Sequence, residues 1–227
     1  MLREIIRALK RHDALVEMVA QVGEMLDADK WMFEEASQAL LRAVDWSAIA
    51  DELYARDRQV NAIEQKVREG IVVHQTLGPK ADLSACLVLM NVVKDAERIG
   101  DYCKNIFEVA KFFRREFTHP EYSQTLEDIR KTLLPLFDQA REAFTQARRR
   151  RAKECLDVAG AVRNRCDVII RQLLSVHDQL APDEAVAYVL LARFYKRVAS
   201  HLANISTSVI SPVPLLDYRG KLAKTES

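Results

Sequence analysis

Residues Ser47 to Gln75 read SAIADELYARDRQVNAIEQKVREGIVVHQ, and Leu77-Gly78-Pro79 follows shortly after. Ile49, Leu53, Val60, Ile63, Val67 and Ile71 recur at helical spacing and share one side of a helix. Glycine suits a helix C-terminus and proline the first turn of the next helix, so one helix ends at this point and another begins. The pattern predicts a helix over Ser47 to Gln75 and a third helix from about Lys80 to Phe113. Upstream, Leu2 to Val44 reads as a first helix, with Leu26, Trp31, Phe33, Leu40 and Leu41 at helical intervals and a possible break near Asp27 or Asp29. Asp45-Trp46-Ser47 makes the junction, where Asp45 or Ser47 can cap the next helix.

The same order follows again downstream. Thr118-His119-Pro120 breaks the pattern, and helices are predicted over about Ser123 to Gln146, Ala152 to Val176 and Asp183 to Ile210. Ala181-Pro182-Asp183 separates the last two, and Ser211-Pro212-Val213-Pro214 ends the last. Arg98-Ile99 and Asn105-Ile106 lie over Arg197-Val198 and Asn204-Ile205 when the halves are superposed, with Lys94 opposite Arg193 and Gly100 opposite Ala199. An internal duplication explains this register. Short junctions make consecutive helices antiparallel neighbours. The expected fold is therefore all-α: two tandem antiparallel three-helix bundles, over residues 1–117 and 118–214, with a tail over 215–227.

Composition limits the function. The chain has 227 residues, of which 49% are hydrophobic and 30% charged, a balance that suits a globular protein. Thirty-four Lys and Arg nearly cancel 33 Asp and Glu, so net charge predicts neither a nucleic acid nor an acidic partner. Cys86, Cys103, Cys155 and Cys166 form no C-x-x-C pair, which points to reduced core residues in a cytoplasmic protein. The longest apolar stretch, Ala85 to Val93 with Asn91 inside it, falls far short of the roughly 20 residues of a membrane-spanning helix. Nucleophile-elbow, P-loop and dinucleotide-binding motifs are missing, and His12, His74, His119, His177 and His201 form no H-x-x-x-H pair. The histidines read as surface or junction residues, and the chain does not read as an enzyme.

Two acidic strips remain. Asp57, Asn61 and Glu64 lie at i, i+4 and i+7 of the second helix. Glu97, Asp101, Asn105 and Glu108 lie at i, i+4, i+8 and i+11 of the third. At 3.6 residues per turn each set spans an arc under about 90°. Oxygen-rich strips on adjacent helices can hold a hard or borderline cation. The alternative is a solvated polar face: Lys94, Arg98 and Lys104 share the arc on the third helix, and Arg68 follows Glu64 by one turn. The like charges Glu97 and Asp101 favour a cation, since their i, i+4 repulsion costs a few tenths of a kcal/mol. A basic run, Arg148 to Arg151 with Lys153, opposes the helix dipole near a helix start and is either a solvated turn or a docking patch for an acidic surface.

These stretches resemble a known family. Asp57 to Glu64 is similar to the D-x-x-V-N-x-x-E of the PhoU family, Pro79 to Leu83 to its P-x-A-x-D-L with one residue fewer, and Glu97 to Ile106 to its E-R-I-G-D-x-x-x-N-I. Ala192 to Ile205 looks like a worn second copy, and the resemblance runs from about residue 24 to 212. It implies two three-helix bundles with acidic motifs that carry iron, zinc or other divalent metals in several members. It also implies a cytoplasmic, dimeric, non-enzymatic regulator that couples a phosphate transporter to a sensor histidine kinase and meets the membrane only through that transporter. By resemblance, Asp57, Glu64, Glu97 and Asp101 are the metal ligands, with Asn61, Asn105 and Glu108 adjacent. The second repeat has Ala159, Arg163, Lys196 and Ser200 at the matching positions. Lys and Arg there repel a cation, so at most one site is expected, in the first half. The competing expectation is a metal-free helical interaction module that serves a different transporter, such as a sodium–phosphate carrier or a phosphate permease.

Overall fold

Charged residues interrupt the apolar run of the first helix without ending it. In the computed structural model, which describes residues 13–41, 45–77, 82–175 and 180–216, helix α1 runs unbroken over Asp13–Leu41. The break expected near Asp27 or Asp29 does not occur. A short 3-10 turn, Trp46–Ala48, follows, capped by Asp45 Oδ1, which accepts from the Ser47 backbone N–H at 2.9 Å. Helices α2 (Ala50–Leu77), α3 (Leu83–Phe112), α4 (Pro120–Thr145), α5 (Arg149–Ser175) and α6 (Pro182–Ile210) complete the fold. There is no strand among the described residues. The Gly78-Pro79 junction, the expected start at Leu2, His12, His177 and the segment from Asp217 onward lie outside the described residues.

The prolines act as read. Pro120 and Pro182 each occupy a first-turn position, where the missing N–H breaks no hydrogen bond. The α4–α5 junction is tighter than expected: Ala147 takes a left-handed backbone (φ 56°), and the Arg148 N–H reaches the Ala143 carbonyl at 2.9 Å. Helix α5 therefore starts at Arg149 rather than Ala152. Its basic first turn is offset by acids: Arg148 and Arg151 pair with Glu142, and Arg150 and Arg151 with Glu154.

Helices α1, α2 and α3 pack on one another, as do α4, α5 and α6, and α1 and α3 of the first group lie against α4 and α6 of the second. One apolar core runs through both groups. Phe33 links the halves, with its ring centroid 5.5 Å from Phe137 and 5.1 Å from Tyr195. His74 sits at a junction, as expected, while His201 departs from the surface-or-junction reading and joins the two halves. Asp95 Oδ1 lies 2.7 Å from His201 Nδ1 and accepts from Asn204 Nδ2 at 3.1 Å, which ties α3 to α6. His74 Nε2 lies 2.9 Å from Asp82 Oδ2 and bridges the junction between α2 and α3. All four cysteines are free and buried. No helix among the described residues is long and apolar enough to cross a membrane.

Glu184, 1% exposed in the first turn of α6, fixes the link between the halves. Its carboxylate accepts from the Thr118 N–H (2.6 Å), the Thr118 hydroxyl (2.8 Å) and the His119 N–H (3.3 Å). Burial opposes its charge, but these hydrogen bonds outweigh burial and hold the carboxyl below the usual glutamate range. A depressed carboxyl contributes stability above its unfolded pKa, and that contribution is lost as pH falls through the folded value. Glu184→Gln is therefore expected to cost roughly 1–2 kcal/mol at neutral pH. The gap from wild type should close in acid, as read by urea unfolding at the two pH values.

Gly100 leaves room on α3 for the Asp29 side chain of α1. A Cβ at this position would lie 2.9 Å from Asp29 Oδ1 and 3.5 Å from Val60 Cγ1. Gly100→Ala is expected to destabilise by about 1–3 kcal/mol through overpacking. Most of that loss should disappear in an Asp29→Ala background, a coupling that a double-mutant cycle by thermal denaturation would read.

Candidate functional site

The two predicted strips face each other across the α2–α3 groove. Lys104 Nζ donates to Asp57 Oδ1 (3.0 Å) and Oδ2 (3.1 Å), and to Asp101 Oδ1 (3.3 Å). Lys94 Nζ donates to Glu97 Oε2 at 2.6 Å and lies 3.7 Å from Glu64 Oε1, which also pairs with Arg68 at 2.8 Å. The four carboxylates thus stand in a row bridged by two ammonium groups. Burial opposes the charge of Lys104, yet its hydrogen bonds to Asp57 and Asp101 prevail and hold it above the usual lysine range. Among the described residues, no three His, Cys, Asp or Glu side chains converge as a metal-binding group in this arrangement.

The strip on α3 does not stay together. Asn105 and Glu108 turn away from α2 and line a groove of about 880 Å³ between the end of α3 and the start of α6. Val109, Phe112, Val186 and Phe194 make that groove apolar, and Phe112 is 79% exposed. Asn61 remains half-buried on α2 one turn from Asp57. The drift of 3.6 residues per turn separates residues that share a nominal arc once a neighbouring helix sits on either side.

The second repeat carries different chemistry at the matching positions. Ala159 is buried in the core. Lys196 pairs with Asp167, and Ser200 Oγ donates to the Lys196 carbonyl at 2.8 Å. Arg163 stands where the first repeat has Asn61, so a positive charge replaces a neutral oxygen donor.

One residue at the first site was not among the sequence candidates. Asp29 of α1 is 0% exposed, and neither of its carboxylate oxygens has a hydrogen-bond partner among the described residues. Burial, then the charges of Asp57, Glu97 and Asp101, push its carboxyl well above the usual aspartate range. Its backbone carbonyl accepts from Cys103 Sγ at 3.6 Å, and burial also pushes that thiol up. A sequence signal for Asp29 existed: Met25, Leu26, Met32 and Phe33, at i−4, i−3, i+3 and i+4, are all buried, so helical phase places Asp29 on the core face.

The row offers oxygen donors from two helices, but each of its carboxylates is already ion-paired to a lysine or arginine, and no three acids are grouped to hold a metal ion among the described residues. Glu64 is held by Arg68 and Lys94, Glu97 by Lys94, and Asp57 and Asp101 by Lys104.

Comparison with known proteins agrees with this architecture. The family model of the PhoU domain matches residues 22–110 and again 126–209. Phosphate-specific transport system accessory protein PhoU homolog 2 of Mycobacterium tuberculosis is 25% identical over 207 residues, covering 88% of this chain and 94% of that one. Phosphate-specific transport system accessory protein PhoU homolog of Xylella fastidiosa is 25% identical over 211 residues, covering 87% of this chain and 84% of that one. Among solved structures, PhoU from Pseudomonas aeruginosa superposes with a TM-score of 0.78 at 21% identity, covering 87% of this chain and 95% of that one. The phosphate transport system regulatory protein PhoU from Streptococcus pneumoniae gives 0.70 at 18% identity, covering 86% and 93%. The fold is that of these proteins, and with the domain matched in both of its halves the chain belongs to the PhoU family.

Proposed function

We propose that this protein is a non-enzymatic regulator of phosphate transport and phosphate-starvation signalling. It acts in the cytoplasm as a homodimeric adaptor for a phosphate transporter component, a sensor histidine kinase, or both. The observation that carries this reading is the doubled PhoU domain, aligned with phosphate-specific transport accessory proteins over most of their length. The absence of a nucleophile, phosphate-loop or dinucleotide motif from the sequence agrees with an adaptor rather than a catalyst.

One divalent metal ion in the first repeat, iron, zinc or another, belongs to this reading. Asp57, Glu97 and Asp101 would hold it, with Glu64 near. A bound ion would neutralise the strip and cross-link its helices. A second reading is favoured by the ion pairs of Lys94 and Lys104, which already neutralise the carboxylates. In it the protein is a metal-free helical module that serves another transporter, such as a sodium–phosphate carrier or a phosphate permease.

Deletion of the gene is expected to switch on phosphate-starvation genes while phosphate is plentiful, and to alter phosphate uptake. The tagged protein should retain a phosphate transporter component or its kinase on affinity purification. Unchanged expression and uptake would contradict the regulator. Retention of a sodium–phosphate carrier or permease, with no metal by elemental analysis, would move the conclusion to the second reading.

A further inference from the structure

Two features of the seam between α3 and α6 have no role in holding the fold. One is the apolar groove of about 880 Å³ where α3 ends and α6 begins. Phe112 at its lip is 79% exposed and Val186 57% exposed, and bulky apolar groups left in water beside a hollow mark a surface that another element covers. The other is a set of arginines further along the same seam. Arg98 of α3 and Arg193 and Arg197 of α6 are exposed, and no acid among the described residues is hydrogen-bonded or ion-paired to any of them. Contacts across the seam place these arginines together. Asp95 and Tyr102 of α3 both touch His201, and Tyr102 also lies against Phe194, with ring centroids 6.0 Å apart. Arg98 falls between Asp95 and Tyr102, and Arg197 between Phe194 and His201, each within about one turn of both neighbours. Arg98 and Arg197 therefore stand opposite each other, at matching positions of the two repeats, and Arg193 adds a third cation one turn along α6. Asp95 does not neutralise them, because it is buried and held by His201 and Asn204.

We propose that the α3–α6 seam is the docking site for an acidic amphipathic helix of a partner protein. The apolar face of that helix fills the groove beside Phe112 and Val186, and its carboxylates meet Arg98, Arg193 and Arg197. Charge complementarity sets the sign of the partner: three guanidinium groups without a carboxylate of their own are satisfied by acids brought from outside. The two features are continuous, because Phe194 lines the groove and lies one turn before Arg197. From Val186 to Arg197 is about three turns of helix, about 16 Å, so a partner helix of that length spans both. Glu108 stands at the groove end, so opposite charges are separated along the seam and fix the direction in which the helix lies. Exposed aromatic and arginine side chains are the types that carry most of the energy of such contacts. The inference rests on the adaptor reading above and adds to it the surface and the chemistry of the partner segment.

The test uses the full chain with purified cytoplasmic components of a phosphate transporter and of a sensor kinase from the same organism, and reads affinity by biolayer interferometry. Wild type should bind one of them, more weakly as salt is raised. The double variant Arg98→Glu, Arg197→Glu should lose about tenfold or more in affinity, and Phe112→Ser a similar amount. Arg150→Glu, in the basic turn at the start of α5, should bind as wild type does. Thermal denaturation should show the variants folded, since all of these side chains are exposed. A photo-reactive benzophenone side chain introduced at Val186 reads the same contact without altering the arginines. It should cross-link to a partner segment whose apolar residues recur at helical spacing and whose acids lie one turn apart. Unchanged affinity in the Arg98, Arg197 double variant would overturn the proposal, and if wild type still bound its component, the adaptor reading would stand and only the surface would fall. Cross-linking to a second copy of this chain, or to a segment without acids, would overturn the acidic helix. So would binding to phosphatidylglycerol vesicles that the double variant lost, which would assign the arginines to a membrane. Loss of affinity in Arg150→Glu alone would move docking to the basic turn. No binding of wild type to any component would overturn both the adaptor reading and this inference.

Discussion

A carboxylate buried against bare backbone sets the geometry of the first repeat. Asp29 reaches α3 only because Gly100 has no side chain, and the approach brings α1, α2 and α3 together at one point. Everything polar in this half is arranged around that contact. Asp57 sits one turn before Val60, while Glu97 and Asp101 flank Gly100 in the sequence, so the acidic row runs beside this contact. Lys94 and Lys104 then hold the row by ion pairs between α2 and α3. Partly exposed pairs of this kind contribute little to stability, so the lysines are better understood as charge compensation than as struts.

The contact is coupled to the rest of the molecule through α1 and α3, which also carry the interface with the second repeat. Phe33, one turn beyond Asp29, packs against Phe137 and Tyr195 of the other half. Asp95, just before Glu97, is held by His201 and Asn204 of α6, and Tyr102 stacks on the His201 ring with centroids 5.7 Å apart. A change of charge or occupancy at the acidic row is therefore one helical turn from groups that set how the repeats meet. The second repeat keeps the fold but not the acids, because Ala159 serves its core and Lys196 pairs with Asp167. Asn204, which survives from the motif, works at the interface between repeats.

Much of this was legible in the sequence. Six helices, their order and the duplication follow from apolar periodicity and from prolines at helix starts, and the five helices after the first are where the pattern puts them to within a few residues, while both expected ends of the first lie outside the described residues. The departures have local causes. Asp27 and Asp29 look like a break because charged residues interrupt an apolar run, but helix propensity tolerates them and the packing of Met25, Leu26, Met32 and Phe33 carries α1 straight through. Glu108 and Asn105 were grouped with Glu97 by the helical wheel, which knows nothing of α6 lying alongside. Asp57, Glu64, Glu97 and Asp101 were identifiable as one row. Their pairing within a helix was legible too, since Arg68 follows Glu64 by one turn and Lys94 and Lys104 share the arc on α3, whereas the reach of Lys104 to Asp57 and of Lys94 to Glu64 depends on how α2 packs on α3.

What unites these features is one contact, the buried Asp29 of α1 against the bare backbone of Gly100 on α3, with the acidic row and its lysines beside it. A crystal structure of Gly100→Ala tests it most directly. The account predicts that the added methyl group drives α1 away from α3 at Asp29 or turns the Asp29 side chain out of its seat. An unmoved Asp29 with the three helices packed as before would contradict it.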